Sequence, residues 1–200
     1  MKKLLGILLI TILLSSCVPR DEVFSEAMKN MDELTQFKMV ITINGIPIIG
    51  NITGTLTIDK DKSESLIIGS RSYTYFDDDT EYYIKEYNDT FYRFSQKENQ
   101  ENYFEVTSYS NFKFEDFEYN DGYYFSSDVI DGMKDIYIKL INGYIDTLQF
   151  KVESDGSWLD IKVEFVNYGS ATIILPEYTV LNELEETIFL FTLYGYTYTD

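Results

Sequence analysis

The 200-residue chain contains no histidine, and this absence excludes several kinds of site at once. Without imidazole there can be no Ser-His-Asp or Cys-His catalytic arrangement, and no zinc or iron held by histidine. Cysteine occurs once, at Cys17, so the chain cannot form an internal disulfide. Carboxylate chemistry is what remains for catalysis or for metal binding.

Basic residues are also scarce, with 16 Lys and Arg against 34 Asp and Glu and a formal net charge of −18. Nucleic-acid binding requires clustered lysine and arginine to neutralise phosphates, whereas the basic residues after the first 16 positions lie singly between acids. Nucleic acid is therefore excluded as a partner. The same charge repels anionic lipid head groups and favours the solubility of an exported protein.

Carboxylates are abundant, yet no group of them stands out as a site. Asp77-Asp78-Asp79 followed by Glu81 supplies oxygen atoms that suit calcium, but the run lacks the Asp-x-Asp-x-Asp-Gly spacing of a calcium loop. A solvated acidic loop between two strands is the favoured interpretation. Counting acids does not identify a glycosidase-like pair, because 34 acids guarantee coincidental pairs. No single pair stands out. We expect no metal, no cofactor and no enzymatic activity, and a carboxylate-dependent hydrolase is the least supported alternative.

The first seventeen residues have the pattern of an export signal. Lys2 and Lys3 form a basic n-region, Leu4–Leu14 is almost wholly apolar, and Leu14-Ser15-Ser16-Cys17 ends the stretch with small residues. About eleven apolar residues are too few for a transmembrane helix, which needs roughly 20, but they suit the h-region of a signal peptide. The pattern resembles a bacterial lipoprotein signal with its lipobox. This resemblance implies a diacylglycerol on Cys17 and cleavage immediately before it.

Lipidation would determine where the protein is located. Two or three acyl chains, at about 0.8 kcal/mol per buried methylene, anchor a protein stably. We therefore expect a signal peptide over residues 1–16 and a single domain over residues 17–200, held at the extracytoplasmic face of the cell membrane through Cys17. An ordinary secretory signal, or an apolar first helix of a cytosolic protein, is the alternative. No linker or internal repeat divides residues 17–200, which are within the size of one domain.

The mature chain begins with a helical pattern. Asp21 can cap the helix and Glu22 favours its positive end. The apolar residues that follow recur at three- and four-residue intervals, as in a helix that packs on a core. They are Phe24, Ala27, Met28, Met31, Leu34 and Phe37. Because the helix starts about four residues after Cys17, roughly 14 Å of extended chain, we expect the domain to lie close to the membrane.

After Phe37 the apolar period changes to two, which indicates strands. Met39–Asn44 alternates, glycines and a proline at 45–50 mark a turn, and Ile52–Ile58 carries threonines on its second face, as in a half-buried sheet. Four more strands are predicted on the same grounds. They are Ser65–Ile68, Ser72–Phe76, Glu81–Tyr87 and Phe91–Ser95.

The strongest strand signal is a three-stranded antiparallel meander over residues 136–166. Its turns are predicted at Asn142-Gly143, which favours a two-residue hairpin turn with positive φ at glycine, and at Asp155-Gly156. Its apolar residues alternate with polar ones such as Asp160, Lys162 and Glu164. The apolar set is Ile136, Ile138, Leu140, Leu148, Phe150, Val152, Leu159, Ile161, Val163 and Phe165.

The segments on either side of the meander are less regular. Phe112–Tyr119 and Tyr123–Ser126 are predicted to pair around Asn120-Asp121-Gly122, while Gln96–Asn111 and Asp128–Lys134 are predicted to be loop or short helix. This region is where a lid or mouth would be built.

The C-terminal tail gives two predictions. Ala171–Leu175 is predicted to be a short strand ending before Pro176. Leu181–Phe191 fits a helix, but the aromatic alternation over residues 189–198 fits a terminal strand equally well.

The order of elements, a lipobox signal, an amphipathic helix and a long run of antiparallel strands, resembles the LolA/LolB/LppX-like superfamily of lipoprotein carriers and lipid-binding lipoproteins. The residues that carry the resemblance are Ala27 and Leu34 in the helix, and Val163-Glu164-Phe165-Val166-Asn167-Tyr168-Gly169 followed by Ile173-Ile174-Leu175-Pro176, which is similar to the family's final strand pair. The resemblance implies an α+β, mostly β fold, with the helix packed on a large curved antiparallel sheet. Such a half-barrel would enclose an apolar cavity. This chain departs from LolA in carrying its own lipidation signal and a longer tail, which argues against a soluble shuttle.

Two binding functions follow. In the first, a non-enzymatic lipoprotein of the cell envelope binds lipid or another amphiphile, and inward residues of the meander line the cavity: Leu148, Phe150, Ile161, Val163 and Phe165. In the second, the same sheet has a filled core and its exposed aromatic or acidic edge binds a protein or cell-wall partner. A large continuous cavity between sheet and helices would favour the first, and a sheet packed at ordinary interior density would favour the second.

Overall fold

The structure is a computed structural model that describes residues 19–77, 80–94, 108–154 and 156–194. These residues are mostly β, and their strands form one open, curved, largely antiparallel sheet accompanied by two helices. The predicted mostly β class with a large curved antiparallel sheet is confirmed. The helices are α1 (Arg20–Asp32) and α2 (Glu183–Tyr194). The strands are β1 (Gln36–Ile46), β2 (Gly50–Asp59), β3 (Lys62–Ile67), β4 (Ser70–Asp77), β5 (Thr80–Tyr87), β6 (Thr90–Phe94), β7 (Glu118–Asn120), β8 (Tyr123–Ser126), β9 (Lys134–Ile141), β10 (Tyr144–Ser154), β11 (Ser157–Tyr168) and β12 (Thr179–Val180).

The order of strands across the sheet is β12-β6-β5-β4-β3-β2-β1-β11-β10-β9-β8-β7. Every neighbouring pair is antiparallel except β12 and β6, which are parallel. Two meanders, β1 to β6 and β7 to β11, are therefore joined side by side where β11 pairs with β1. This long-range pairing makes one sheet from two locally built halves.

The predicted meander is confirmed as β9, β10 and β11. Leu148 lies opposite Ile138 on one side and opposite Val163 on the other. Asn142 and Gly143 connect β9 to β10 with φ angles of 54° and 78°, the positive values that a primed hairpin turn requires. Gly156 also has a positive φ, while Asp155 lies outside the described residues.

The predicted hairpin at residues 120–122 is confirmed, but its first strand is shorter than expected. Only Glu118–Asn120 pairs with β8, and Phe114–Asp116 forms a 3₁₀ turn. The reason is packing, because Phe112 and Phe117 are buried and Phe24 lies with its ring centre 5.1 Å from that of Phe117. A second 3₁₀ turn covers Tyr109–Asn111, and residues 95–107 lie outside the described part of the chain.

Helix α1 begins two residues earlier than a cap at Asp21 would place it. Pro19 occupies the N-cap position, so the predicted capping role of Asp21 is wrong, and Asp21 lies in the first turn, where its charge suits the helix dipole. The buried residues of the helix are Phe24, Ala27, Met28 and Met31. Leu34 follows the end of the helix, and Phe37 belongs to β1.

The two sides of the sheet can be named from the register. We call inner the side that carries Leu148, Ile161 and Val163, and outer the other side. The main hydrophobic cluster lies on the inner side and includes the buried residues of α1 together with residues of β1 and β8 to β11. The Asn30 side chain also donates to the carbonyl oxygen of Gly143 at 2.9 Å.

A second cluster lies on the outer side of β4 and β5, where residues 170–178 cross the sheet. We call these residues the crossing segment. Ile173 is buried there against Tyr73, Tyr75 and Ile84. The strand predicted at Ala171–Leu175 is wrong, because this part of the chain bonds to a side chain instead of to a neighbouring strand. The Ile173 amide donates to an Asp59 carboxylate oxygen at 3.0 Å.

Residues Glu183–Tyr194 form α2, which decides between the two predicted alternatives for residues 181–191, while residues 195–200 lie outside the described part of the chain. Asn182 accepts bonds from the amides of Leu184 and Glu185, and Glu185 accepts from the Asn182 amide, the reciprocal arrangement of a capping box. Phe189 of α2 lies with its ring centre 4.9 Å from that of Tyr92. Tyr92 points to the inner side of β6, because it lies opposite Lys85 and alternates with Arg93.

Candidate functional site

The five residues predicted to line a cavity share the inner side of β10 and β11. Leu148 lies opposite Val163, and Phe150 lies opposite Ile161. All five are buried, with exposed fractions between 0% and 7%, and belong to the main hydrophobic cluster. Phe165 lies within ring contact of Phe37 and Tyr109. The neighbours of these five side chains in the cluster are therefore other protein side chains, many of them aromatic.

Other predicted features lie outside the described residues or carry no site within them. Cys17 and two acids of the run, Asp78 and Asp79, fall outside. Across the described ranges, no group of three or more metal-ligating side chains comes together. Neither helix of the described chain is long and apolar enough to cross a membrane.

A groove lies on the outer side of the sheet over β1, β11, β10 and β9. Its volume is about 220 Å³. The residues that line it are Asn44, Asp135, Tyr137, Gln149, Phe150, Lys151, Asp160, Ile161 and Lys162. Most of them are polar, and the polar ones on β10 and β11 alternate with Phe150 and Ile161, which are buried and belong to the main cluster.

The register arranges the polar side chains in two rows. In one row Gln149 lies between Tyr137 and Lys162. In the next, Asp160 lies between Lys151 and Asn44. Successive residues on one face of a strand are roughly 7 Å apart and neighbouring strands about 4.8 Å apart. The groove therefore presents a compact grid of hydrogen-bonding groups from four strands.

An irregularity in β9 brings one acid into this grid. Between Gln149 and Lys151 the pairing partner shifts from Tyr137 to Lys134, so β9 holds one extra residue there. Asp135, within this bulge, has a φ of 51°. A β-bulge redirects side chains in this way, and the Asp135 carboxylate reaches Lys151 across the strand, with Oδ2 and Nζ 2.9 Å apart.

The charges of the groove balance. The hydrogen bond from Lys151 lowers the pKa of Asp135, and the same bond raises the pKa of Lys151, which is raised further by the charge of Asp160. Lys162 lies 2.7 Å from a Glu164 carboxylate oxygen. Two lysines and two aspartates line the groove, so it has no net charge although the chain carries −18.

Two exposed aromatic side chains border the groove. Tyr137 is 41% exposed, and its ring centre lies 4.7 Å from that of Phe125. Trp158 is 46% exposed and lies two residues before Asp160, on the same side of β11. The Lys134 ammonium lies 5.4 Å from the Trp158 ring centre. Because Lys134 is on β9 and Trp158 is on β11, their side chains meet over β10 at the end of the groove.

Our sequence interpretation identified the meander but took its inward residues as the site. The outward residues, such as Asp160 and Lys162, entered that interpretation only as the polar side of the alternation. The signal that points to the groove is the presence of Tyr137 and Trp158 at outward positions of the meander. The bulge at Asp135 has no comparable signal in the sequence.

Comparison with models of known protein families finds no match. A search among curated proteins finds no significant similarity either. The candidate site is therefore interpreted from its own geometry.

Proposed function

We propose that this protein is a membrane-anchored, extracytoplasmic lipoprotein that acts as a non-enzymatic binding protein, with the outer-side groove as its binding surface. The observation that carries the proposal is the groove itself, because it concentrates paired donors and acceptors beside two exposed aromatic rings. Binding sites combine a concave shape with a few such polar groups. Of the two binding functions that the sequence leaves open, this favours the interaction protein with a filled core.

Burial on the inner side supports the same choice. Leu148, Phe150, Ile161, Val163 and Phe165 are less than one tenth exposed, and aromatic side chains from α1 and from residues 109–117 pack in the same cluster. A bound acyl chain would have to displace some of these contacts. Protein interiors are close-packed, so such displacement is costly.

Lipid or amphiphile binding is the second candidate. It is favoured by the open, curved sheet, which suits the half-barrel of the LolA/LolB/LppX-like superfamily. In this version of the proposal α1 packs over the inner side as a movable cover, and an acyl chain enters beneath it. The residues that would contact the chain are the five predicted from the sequence.

The anchor is proposed on the lipobox pattern that ends at Cys17. Helix α1 begins at Arg20, three residues later, so about 10 Å of extended chain separates the lipid from the folded domain. The domain would therefore lie directly against the membrane surface. Metabolic labelling with a palmitate analogue tests the anchor, because Cys17→Ala should abolish the label, and a label that persists in this variant would refute it.

A variant that fills the groove tests the binding surface. Gln149 lies at the centre of one polar row, so Gln149→Trp would occupy the groove while leaving the buried face of β10 unchanged. We expect retention of the protein on isolated cell-envelope material to fall, with stability changed by no more than about 0.5 kcal/mol, as for ordinary surface substitutions. The matched control is Thr80→Trp, because Thr80 is exposed on the outer side of β5 and is separated from the groove by β4, β3 and β2. Equal retention of both variants would contradict the proposal.

A further inference from the structure

The lining of the outer-side groove limits the chemistry of its ligand. The two lysines and two aspartates balance, so the groove neither attracts nor repels charge strongly. Lys151 is already held by Asp135 at 2.9 Å, and Lys162 by Glu164 at 2.7 Å. A phosphate or carboxylate ligand would have to compete with these carboxylates, which does not favour an anion.

The remaining polar groups are of mixed type. The amides of Asn44 and Gln149 each offer two donors and an acceptor, and Asp160 offers acceptors only. A ligand that meets this grid must donate and accept at closely spaced points. Hydroxyl groups do both, because each has one donor hydrogen and two acceptor lone pairs.

The aromatic rings at the border add an apolar requirement. Tyr137 and Trp158 combine large flat apolar faces with a polar tip, and such rings are favoured where one part of a partner is apolar and another is wet. Both are more than two-fifths exposed, so an apolar ligand face could cover them. A sugar ring has hydroxyls at its rim and C–H groups on its faces, and so meets both requirements.

The size of the groove also fits a sugar unit. Its volume of about 220 Å³ is below the roughly 300–1,000 Å³ of sites for drug-sized molecules. We infer that the groove binds one unit of a neutral glycan, with the ring resting against Tyr137 or Trp158 and its hydroxyls bonded to Asn44, Gln149 and Asp160. This inference rests on the proposed function, in which the groove is the binding surface, and it names the ligand class.

Isothermal titration calorimetry of the purified full chain with neutral hexasaccharides of glucose or of N-acetylglucosamine tests the inference. We expect binding of at least one of them, and a loss of affinity of about tenfold or more in Tyr137→Ala or Trp158→Ala. Tyr137→Phe and Trp158→Phe, which keep a ring, should bind more tightly than the alanine variants. Phe76→Ala is the matched control, because Phe76 is 49% exposed and lies on the inner side of β4, away from the groove.

Two results would overturn the inference. One is the absence of binding to every hexasaccharide up to about 10 mM, well above the Kd of about 1 mM that marks a weak complex. The other is that the Tyr137→Ala, Trp158→Ala and Phe76→Ala variants all bind the hexasaccharide equally strongly. Sedimentation with insoluble polymers of the same sugars, run beside the soluble oligomers, distinguishes a wall polysaccharide from a free oligosaccharide as the source.

The failure of this inference can be separated from the failure of the proposed function. If Gln149→Trp lowers retention on cell-envelope material but no glycan binds, the groove is a binding surface for another ligand and the glycan inference is wrong. If Gln149→Trp has no effect on retention or on glycan binding, the groove is not the binding site and the proposed function is wrong. If the wild-type protein takes up no palmitate label, only the proposed lipid anchor at Cys17 is wrong.

Discussion

The guanidinium carbon of Arg93 lies 4.5 Å from the centre of the Tyr82 ring, on the outer side of β5 and β6. The same guanidinium lies 5.7 Å from the ring centre of Tyr178 and donates to the Tyr75 hydroxyl at 3.4 Å. Tyr178 belongs to the crossing segment, and its hydroxyl lies 3.2 Å from that of Tyr75. Arg93 therefore holds the crossing segment against the sheet through ring and hydroxyl contacts.

Replacing Arg93 with alanine should loosen this contact. Cation–π interactions are worth about 0.5–1 kcal/mol when exposed and about 2 kcal/mol when desolvated, and Arg93 is half-buried. We expect Arg93→Ala to lower the free energy of unfolding by about 1–2 kcal/mol, measured by urea denaturation. Arg93→Lys should lose less, because it keeps the charge near the rings. If Arg93→Ala is as stable as the wild type, the contact does not hold the segment.

The Asp59 carboxylate makes the start of the crossing segment sensitive to pH. The hydrogen bond from the Gln36 side chain, followed by that from the Ile173 amide, lowers the pKa of Asp59 below its ordinary value. A carboxyl with a lowered folded pKa stabilises the protein above its unfolded pKa, about 3.9, and this stabilisation is lost as the pH falls through the folded pKa.

We therefore expect the wild-type protein to lose more stability than Asp59→Asn between pH 5 and pH 3, because the asparagine does not titrate. Urea denaturation at the two pH values measures the difference. Asp61→Asn is the control, since Asp61 is exposed two residues further along the chain. The assignment fails if Asp59→Asn and Asp61→Asn reduce the pH dependence equally.

The Asn142-Gly143 turn offers a test of local backbone geometry. Gly143 has a φ of 78°, where a side chain is strained, and an added Cβ would lie 3.4 Å from the Asn30 amide nitrogen. We expect Gly143→Ala to cost about 1–2 kcal/mol of stability, the usual penalty of the left-handed region. Asn30→Ala, which removes the bond from α1 to the Gly143 carbonyl, separates that bond from the backbone strain. A Gly143→Ala protein as stable as the wild type would contradict a primed turn.

The inner side of the sheet can be tested by enlarging Val163, which is 6% exposed and lies opposite Leu148. In a filled core, Val163→Trp should cost about 1–3 kcal/mol from strain and should leave fatty-acid binding undetectable in both proteins. In the lipid-binding alternative, the same change would reduce acyl-chain binding at little cost in stability. A thermal melt paired with a fluorescent fatty-acid titration gives these opposite pairs of results, and we expect the first pair.

How far the sequence predicts this fold depends on the range of the interactions. The Asn142-Gly143 turn and the Phe24 to Met31 stripe were predictable, because a turn or a helix face is determined by residues a few positions apart. Asp21 was misread as a cap because Pro19 was not considered as the N-cap residue, two positions earlier. The strands β1 to β6 follow from alternation alone, and their bounds differ from prediction by a few residues.

The crossing segment and the groove were not predictable in this way. Ala171–Leu175 alternates like a strand, but its amide partner is a side chain more than 100 residues away, Asp59. The groove depends on the register between β1 and β11 and on the bulge at Asp135. These are contacts between distant parts of the chain, and the alternation of Asp160 and Lys162 looks the same whether the face they share is flat or concave.

The most direct measurement uses Trp158, the single tryptophan of the chain. Because the indole borders the outer-side groove, its fluorescence reports a ligand there without a label. We predict that a neutral hexasaccharide that binds in calorimetry changes the intensity or wavelength of Trp158 emission saturably. The doubly substituted protein, with Gln149→Trp and Trp158→Phe, should show no such change in its tryptophan emission. A fatty acid should leave the emission of the wild type unchanged. Saturable quenching by the fatty acid, with no response to any hexasaccharide, would contradict the groove as the binding site.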